Sequence, residues 1–416
     1  MNKHLTIRNF GPVKSIDLDI LDYNIFIGPQ ATGKSTIAKA VYFFMSLKTD
    51  IEQYVRKQKA NNSLNLLDFE RSLRNKFLGF WGTIKVDSTF RLSFQFAVDK
   101  EISLVCNNGH VSVNYSPKMQ DDLVEIFGIA NSKKSLNEIS LMIDGLSYLN
   151  PTTIYIPAGR SILSTLPDSL QQQILGMASM TDESNRLLDL PLRNFIGQIS
   201  QLKPLFNKPL IDIIEEKQAL APVSFNLDKN SLEIAQRLID FILKGKYHYD
   251  KFGEAIDIEN NISIKLSFAS SGQQESLWIL MSLFSLILNK TKAFVIIEEP
   301  EAHLFPESQK HITDLMSLVA NINENQILIT THSPYILTSL NNHIFAEQVG
   351  IHHQEKVSQI VDPSLWMSHQ RVNACYVDKG TIRSIMDEDL HLIKAEEIDS
   401  VSQLINNEFS KLEDVE

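Results

Sequence analysis

Cysteine is almost missing. Cys106 and Cys375 are the two in 416 residues, and neither belongs to a Cys/His cluster. This excludes a disulfide framework and a structural zinc site, and suits a reducing cytosol. An excess of positive charge is also missing: 50 Asp and Glu stand against 39 Lys and Arg, a formal net charge of −11. That excludes a protein coated in nucleic acid but leaves room for a local basic groove. No apolar run spans a bilayer; the longest, Leu277–Leu288, is short and broken by Ser282 and Ser285. The opening MNKHLTIRNF has no apolar core of leader length. The expectation is a cytoplasmic protein without a membrane partner. There is no internal repeat and no sustained heptad pattern, so a long coiled coil is not expected.

What is present reads as an α/β chain. HLTIRNF and KSIDLDI alternate on either side of a Gly11-Pro12 turn, and YNIFIG is a short buried strand that ends on glycine. A helix is expected from about Ser35 to Ser46, and helix again over 48–80. Residues 83–115 alternate strongly, with a hairpin turn at Asn107-Asn108-Gly109. TIYIP at 153–157 is another strand, 160–245 is mainly helical between prolines, and 255–268 returns to strand. From 276 to 340 the pattern is helix, AFVIIE, helix, QILITT, helix, the signature of a parallel sheet. Short strands are expected over 343–383 and a polar helix over 394–412. The fold class is α/β: a P-loop parallel sheet, an antiparallel β block and an inserted helical subdomain. The expected units are an N-terminal lobe at 1–160, a helical insertion at 161–254, a C-terminal lobe at 255–345, and strands and a helix at 346–416 that complete the fold.

Three stretches carry chemistry. GPQATGKST, residues 28–36, fits G-x-x-x-x-G-K-[ST] between a strand and a helix. Gly28, Pro29, Gln30, Ala31, Thr32 and Gly33 form a loop whose N–H groups can surround phosphates at a helix N-terminus. Lys34 is expected on the β- and γ-phosphates, Ser35 on Mg²⁺, and Thr36 at the end of the cradle. The ligand is therefore ATP or another nucleoside triphosphate with Mg²⁺. AFVIIEEPEAHLFP, residues 293–306, delivers two acids at the end of a buried strand. Glu298 can hold Mg²⁺ through its water shell, and Glu299 can polarise the attacking water. QILITTHSPYIL, residues 326–337, ends a second buried strand on His332, placed to bond the γ-phosphate and the water.

The order of these pieces, with the small polar loop Ala269-Ser270-Ser271-Gly272-Gln273 before the acid pair, resembles the ABC-type ATPases: Walker A, signature, Walker B, D-loop, H-loop. The resemblance covers roughly 1–45 and 262–340. It implies that Ser270, Ser271, Gly272 and Gln273 close on the γ-phosphate held by a second subunit, and that Glu301–Leu304 stand at the D-loop. LTIRNFGPVKSIDLDI and YNIFIGPQATGKST resemble the opening of SMC, RecF and OLD-type ATPases, which implies Arg8, Asn9 and Phe10 near base and ribose. TIYIPAGRS and EEPEAHLFP resemble OLD-type and related defence ATPases. The expected partners are a second copy of the chain or a higher homo-oligomer, a separately encoded effector such as a nuclease, and DNA or RNA. The stand-alone ATPases of Septu-like and retron-associated anti-phage systems look similar, and no nuclease activity of the chain's own is expected. The alternative is a RecF-like DNA repair ATPase, with Arg56, Lys57, Lys59, Arg71, Arg74 and Lys76 lining a groove. A glutamine matching the Q-loop is not evident; Pro157–Arg160 is the candidate region, with Gln171–Gln173 following later.

Overall fold

The computed structural model describes residues 3–59, 63–83, 85, 88–132, 135–149, 151–166, 170, 188–220, 228–258, 262–394 and 400–413. The opening alternation folds as β1 (Lys3–Phe10) and β2 (Val13–Ile20), paired antiparallel with Leu5 opposite Leu18 and Ile7 opposite Ile16. Chain continuing into β3 (Tyr23–Ile27) enters a different sheet. β4 (Phe90–Ala97), β5 (Lys100–Asn107) and β6 (His110–Tyr115) extend the first pair into an antiparallel sheet ordered β2-β1-β4-β5-β6. The β5–β6 hairpin turns on Asn108 and Gly109 at φ 50° and 77°, the left-handed values a two-residue hairpin turn needs.

β7 (Thr152–Ile156) precedes a small antiparallel sheet of β8 (Lys246–Asp250), β9 (Gly253–Ile258) and β10 (Ile262–Lys265). β11 (Ala293–Glu298), β12 (Gln326–Thr331), β13 (Val372–Asp378) and β14 (Thr381–Ser384) join β3 and β7 in a sheet ordered β14-β13-β3-β12-β11-β7, parallel except for the edge strand β14. Its inner strands are mostly apolar because both faces are covered. The period of two sorts their side chains into two cores: Ile25, Val295, Ile297, Ile327 and Ile329 face one, while Phe26, Phe294, Ile296 and Leu328 face the other. The helix Ser271–Asn289 fills the first core with Leu277, Trp278, Met281 and Phe284, all within 1% exposure. Each such side chain contributes about 1.5–3 kcal/mol on burial. The second core is rich in aromatics from the helices Lys34–Met45 and Leu66–Trp81.

Several expectations are adjusted. The helical stretch 48–80 is two helices, Leu47–Gln58 and Leu66–Trp81. Helices Pro117–Ala130 and Leu136–Gly145 stand between the antiparallel sheet and β7, where none was expected. The short strands expected over 343–383 are only β13 and β14, because the helix Pro334–Ser358 runs through the first part. Ile336, Leu337, Leu340 and Ile344 are buried along it at spacings that only a helix puts on one side. β13 lies between β3 and the edge strand β14, so the chain beyond 346 supplies an inner strand of the six-stranded sheet. The helical stretch 161–254, as far as it is described, belongs to the first core. Phe195, Ile199, Leu232 and Ile239 share a cluster with Tyr23 and Ile25, and a buried Lys203–Glu254 ion pair of 2.7 Å ties it to β9. Among the described residues, no helix is long and apolar enough to cross a membrane.

Candidate nucleotide site

Parallel strands bring their carboxyl ends to one edge of the sheet, where ligands bind in open α/β folds. The register sets Ile27 of β3 beside Thr331 of β12, Glu298 of β11 beside Thr330, and Ile297 beside Ile156 of β7. The sequence 28–36 leaves β3 and enters the helix Lys34–Met45. Gly28 has φ 154° and a side chain there would meet the Val377 carbonyl oxygen at 2.1 Å; Gly33 has φ 111° and would meet Val13 Cγ2 at 2.9 Å. The loop thus lies against β13 and β2 with no room for a Cβ. Lys34 is buried and its Nζ donates to the carbonyls of Gly28 and Pro29 at 2.8 and 2.7 Å. Burial pushes its pKa down, against the opposing pull of Glu299 and Glu301. Ala31 stands at φ 61° and Thr32 Oγ1 donates to Pro29 O at 2.9 Å. Pro29, Gln30 and Ser35 are exposed, and Thr36 is half-buried.

The acids after β11 differ from one another. Glu298 is buried; its Oε2 accepts the Ala158 N–H at 3.2 Å, while its Oε1 has no partner. Thr330 Oγ1, level with it on β12, is also buried and unpartnered. Glu299 has φ 44°, unusual for a residue with a side chain. Its N–H donates to Thr330 O at 2.8 Å, and its half-exposed carboxylate lies 3.5 Å from His332 Nε2. Glu301, which the resemblance placed at the D-loop, accepts the Thr331 hydroxyl at 2.8 Å and the His332 N–H at 2.6 Å. Burial pushes its pKa up, and those two bonds resist. The acid segment is therefore bonded to the histidine segment at two points.

Ser270 caps the helix Ser271–Asn289 in a reciprocal box with Gln273, whose amide also donates to Leu243 O at 2.7 Å. Ser270 and Ser271 are exposed. Gly272 packs on the segment after the acid pair, since a Cβ there would meet His303 O at 2.8 Å. Gln274 Nε2 donates to the carbonyls of Leu266, Ser267 and Ala269 and so holds the loop in shape. Arg160, in the Q-loop candidate region, is fully buried and bonds both the β11 end and this helix. Its position after the buried strand TIYIP was the available signal. Gln171–Gln173 lie outside the described residues.

The turn after β1 divides its three residues. Arg8 forms a two-oxygen ion pair with Asp17 at 2.7–2.8 Å, Asn9 is exposed at φ 54°, and Phe10 is buried against Phe77, Trp81 and Phe90. Phe10 thus presents its ring to a core. The six cations of 56–76 are also divided. Lys59 bonds the Ala130 carbonyl, Arg71 pairs with Asp68, Arg74 with Glu70 and buried Lys76 with Asp50, leaving Arg56 and Lys57 exposed. Among the described residues, no group of three His, Cys, Asp or Glu is placed to hold a metal.

The donor set fits Mg²⁺ and a nucleoside triphosphate. The buried Glu298 Oε1 and Thr330 Oγ1 lack partners, and two glycines shape a loop of backbone N–H groups. A phosphate loop, paired acids and a histidine strand at one edge of this α/β framework are the parts of an ATPase domain. The chain belongs to the AAA ATPase domain family AAA_15, whose model matches residues 1–157 and 179–337. The OLD nuclease of Thermus scotoductus is 23% identical over 348 residues, covering 80% of this chain. The chain spans 59% of the length of that relative. The chain is also similar to solved SMC heads. One bound to the C-winged helix domain of ScpA is 12% identical, with TM-score 0.44 over 92% of this chain and 96% of that one. The SMC head domain from Thermotoga maritima is 13% identical, with TM-score 0.36 over 81% and 91%. The Pyrococcus furiosus Smc head with an extended coiled coil, bound to the C-terminal domain of ScpA, is 12% identical, with TM-score 0.39 over 97% and 99%.

Proposed function

We propose that this ATPase closes as a pair of identical subunits around two ATP molecules and reports its nucleotide state to a separately encoded effector, a nuclease, in anti-phage defence. The observation that carries the hydrolytic part is the left-handed Glu299, held with its carboxylate half-exposed 3.5 Å from His332. On this reading Lys34 leaves the Gly28 and Pro29 carbonyls for the β- and γ-phosphates. Loop N–H groups from 28–36 hold the phosphate oxygens. Glu299 orients the attacking water and accepts its hydrogen bond, and His332 holds the other side of the same water and the γ-phosphate. Bound Mg²⁺ would supply positive charge that offsets the build-up on phosphate oxygens, and Ser35 and Glu298 are the residues that would hold it.

The pairing rests on Ser270 and Ser271, exposed at a helix N-terminus, which suits an anion brought by another subunit. The effector and defence parts rest on the resemblance to defence ATPases and on the nuclease name of the Thermus relative. Light scattering tests the pairing. Glu299→Gln with MgATP should double in mass, and adding Ser270→Arg should leave it a monomer that still binds ATP. A mass that never changes with ATP would refute closure around nucleotide. Co-purification with products encoded beside the chain tests the effector.

A further inference from the structure

We propose that Arg160 is a positioning residue that joins the acid end of β11 to the signature helix, so that both halves of the nucleotide site move as one piece. The proposal rests on the ATPase reading above. Arg160 is 0% exposed. Its Nε donates to Glu275 O at 2.8 Å, Nη1 to Pro157 O and Glu298 O at 2.7 Å each, and Nη2 to Glu299 O at 3.0 Å. The carboxylate of Glu275, on the helix that Ser270 caps, accepts the N–H of Arg160 at 3.0 Å and of Ser161 at 3.1 Å. One planar fork thus touches the loop after β7, both acids' backbone and the signature helix.

The geometry gives the link a purpose. Glu299 sits in a strained left-handed conformation, which persists only where its surroundings over-determine it. Thr330 holds its N–H and Arg160 holds its C=O. The same guanidinium anchors Glu275, one turn along from Ser270. A tilt of the signature helix on closure would pull Arg160 and re-aim the Glu299 carboxylate. Arg160 also faces the Glu275 carboxylate, 3.5 Å from its Nε, but its side-chain hydrogen bonds all go to carbonyls, which fix backbone position. Lysine cannot replace it, because three donors on one nitrogen cannot span carbonyls set around a fork.

The test uses the full chain, with MgATP titration, steady-state turnover and thermal melting. Arg160→Lys keeps the charge and should lower kcat about 30-fold, while the MgATP dissociation constant moves less than about threefold. Glu275→Gln is isosteric but turns an NH₂ toward an N–H, and should lower kcat about 10-fold with Arg160 intact. In the Glu299→Gln background Arg160→Lys should cost little more, because both act on one carboxylate. Wild-type kcat in both Arg160→Lys and Glu275→Gln, losses that multiply with Glu299→Gln, or a loss seen in ATP affinity would each overturn the proposal. If Arg160→Lys fails to fold, Glu275→Gln alone decides by the same criteria. Wild-type protein that neither binds nor hydrolyses ATP would instead refute the ATPase reading, and this proposal with it.

Discussion

Replacing Gly28 by alanine tests the packing of the phosphate loop against β13. The new Cβ would lie 2.1 Å from Val377 O, 3.1 Å from its carbon and 3.3 Å from its nitrogen. An ordinary carbon–oxygen contact is roughly 3.3 Å, so something must move by about 1 Å. Val377 cannot retreat easily: it pairs with Ile382 on β14, and its neighbour Tyr376 pairs with Ile27 on β3. The φ of 154° adds strain for a residue with a Cβ. Overpacking and strain together should cost about 2–6 kcal/mol. If the strand yields, urea denaturation followed by circular dichroism should show that loss of stability. If the loop yields instead, stability is kept and MgATP affinity should fall at least about 100-fold. Gly128→Ala is the control: it is an exposed helix position with nothing within 4 Å of a Cβ, and should gain up to about 1 kcal/mol. A Gly28→Ala protein with unchanged stability and unchanged ATP affinity would refute the reasoning.

Lys34→Ala removes a buried ammonium bonded to two carbonyls of the loop it serves, and MgATP affinity should fall about 100-fold by equilibrium titration. Retained affinity would contradict the cradle. The buried Asp314 supports a pH prediction. Burial would push its pKa up, but hydrogen bonds from His343 and Lys310 outweigh this and hold it below the ordinary 3.8. Its ionised form therefore stabilises the fold above that value, and the contribution is lost as pH falls through the lower folded pKa. The stability gap between wild type and Asp314→Asn should be widest near about pH 7 and close toward about pH 3. A constant gap in urea melts across that range would rule the coupling out.

Much of the site could be read from local patterns. A phosphate loop needs glycines, a lysine and a hydroxyl at fixed spacing between a strand and a helix, so GPQATGKST announces itself. The acid pair and His332 follow apolar strands, and the capping of the helix at Ser270 is a local hydrogen-bond pattern. Other features depend on which segments meet. The helix Pro334–Ser358 hides behind residues that alternate loosely, and its burial on one side decides its form. Phe10 was expected near a nucleotide base, yet the rings of Phe77, Trp81 and Phe90 occupy its neighbourhood from distant positions. The cations of 56–76 look like a basic face until Asp50, Asp68 and Glu70 are seen beside them.

The sequence by itself determined the α/β class, the phosphate loop, the acid and histidine strand ends and the capped polar loop, because each is a short-range pattern of residue types. Only the tertiary structure decided that β13 runs beside β3, that the described residues of 188–254 share the main core, and that Arg160 joins the β11 end to the helix Ser271–Asn289. These are contacts between segments up to hundreds of residues apart. Burial and hydrogen-bond satisfaction select them among many pairings that the same local patterns allow.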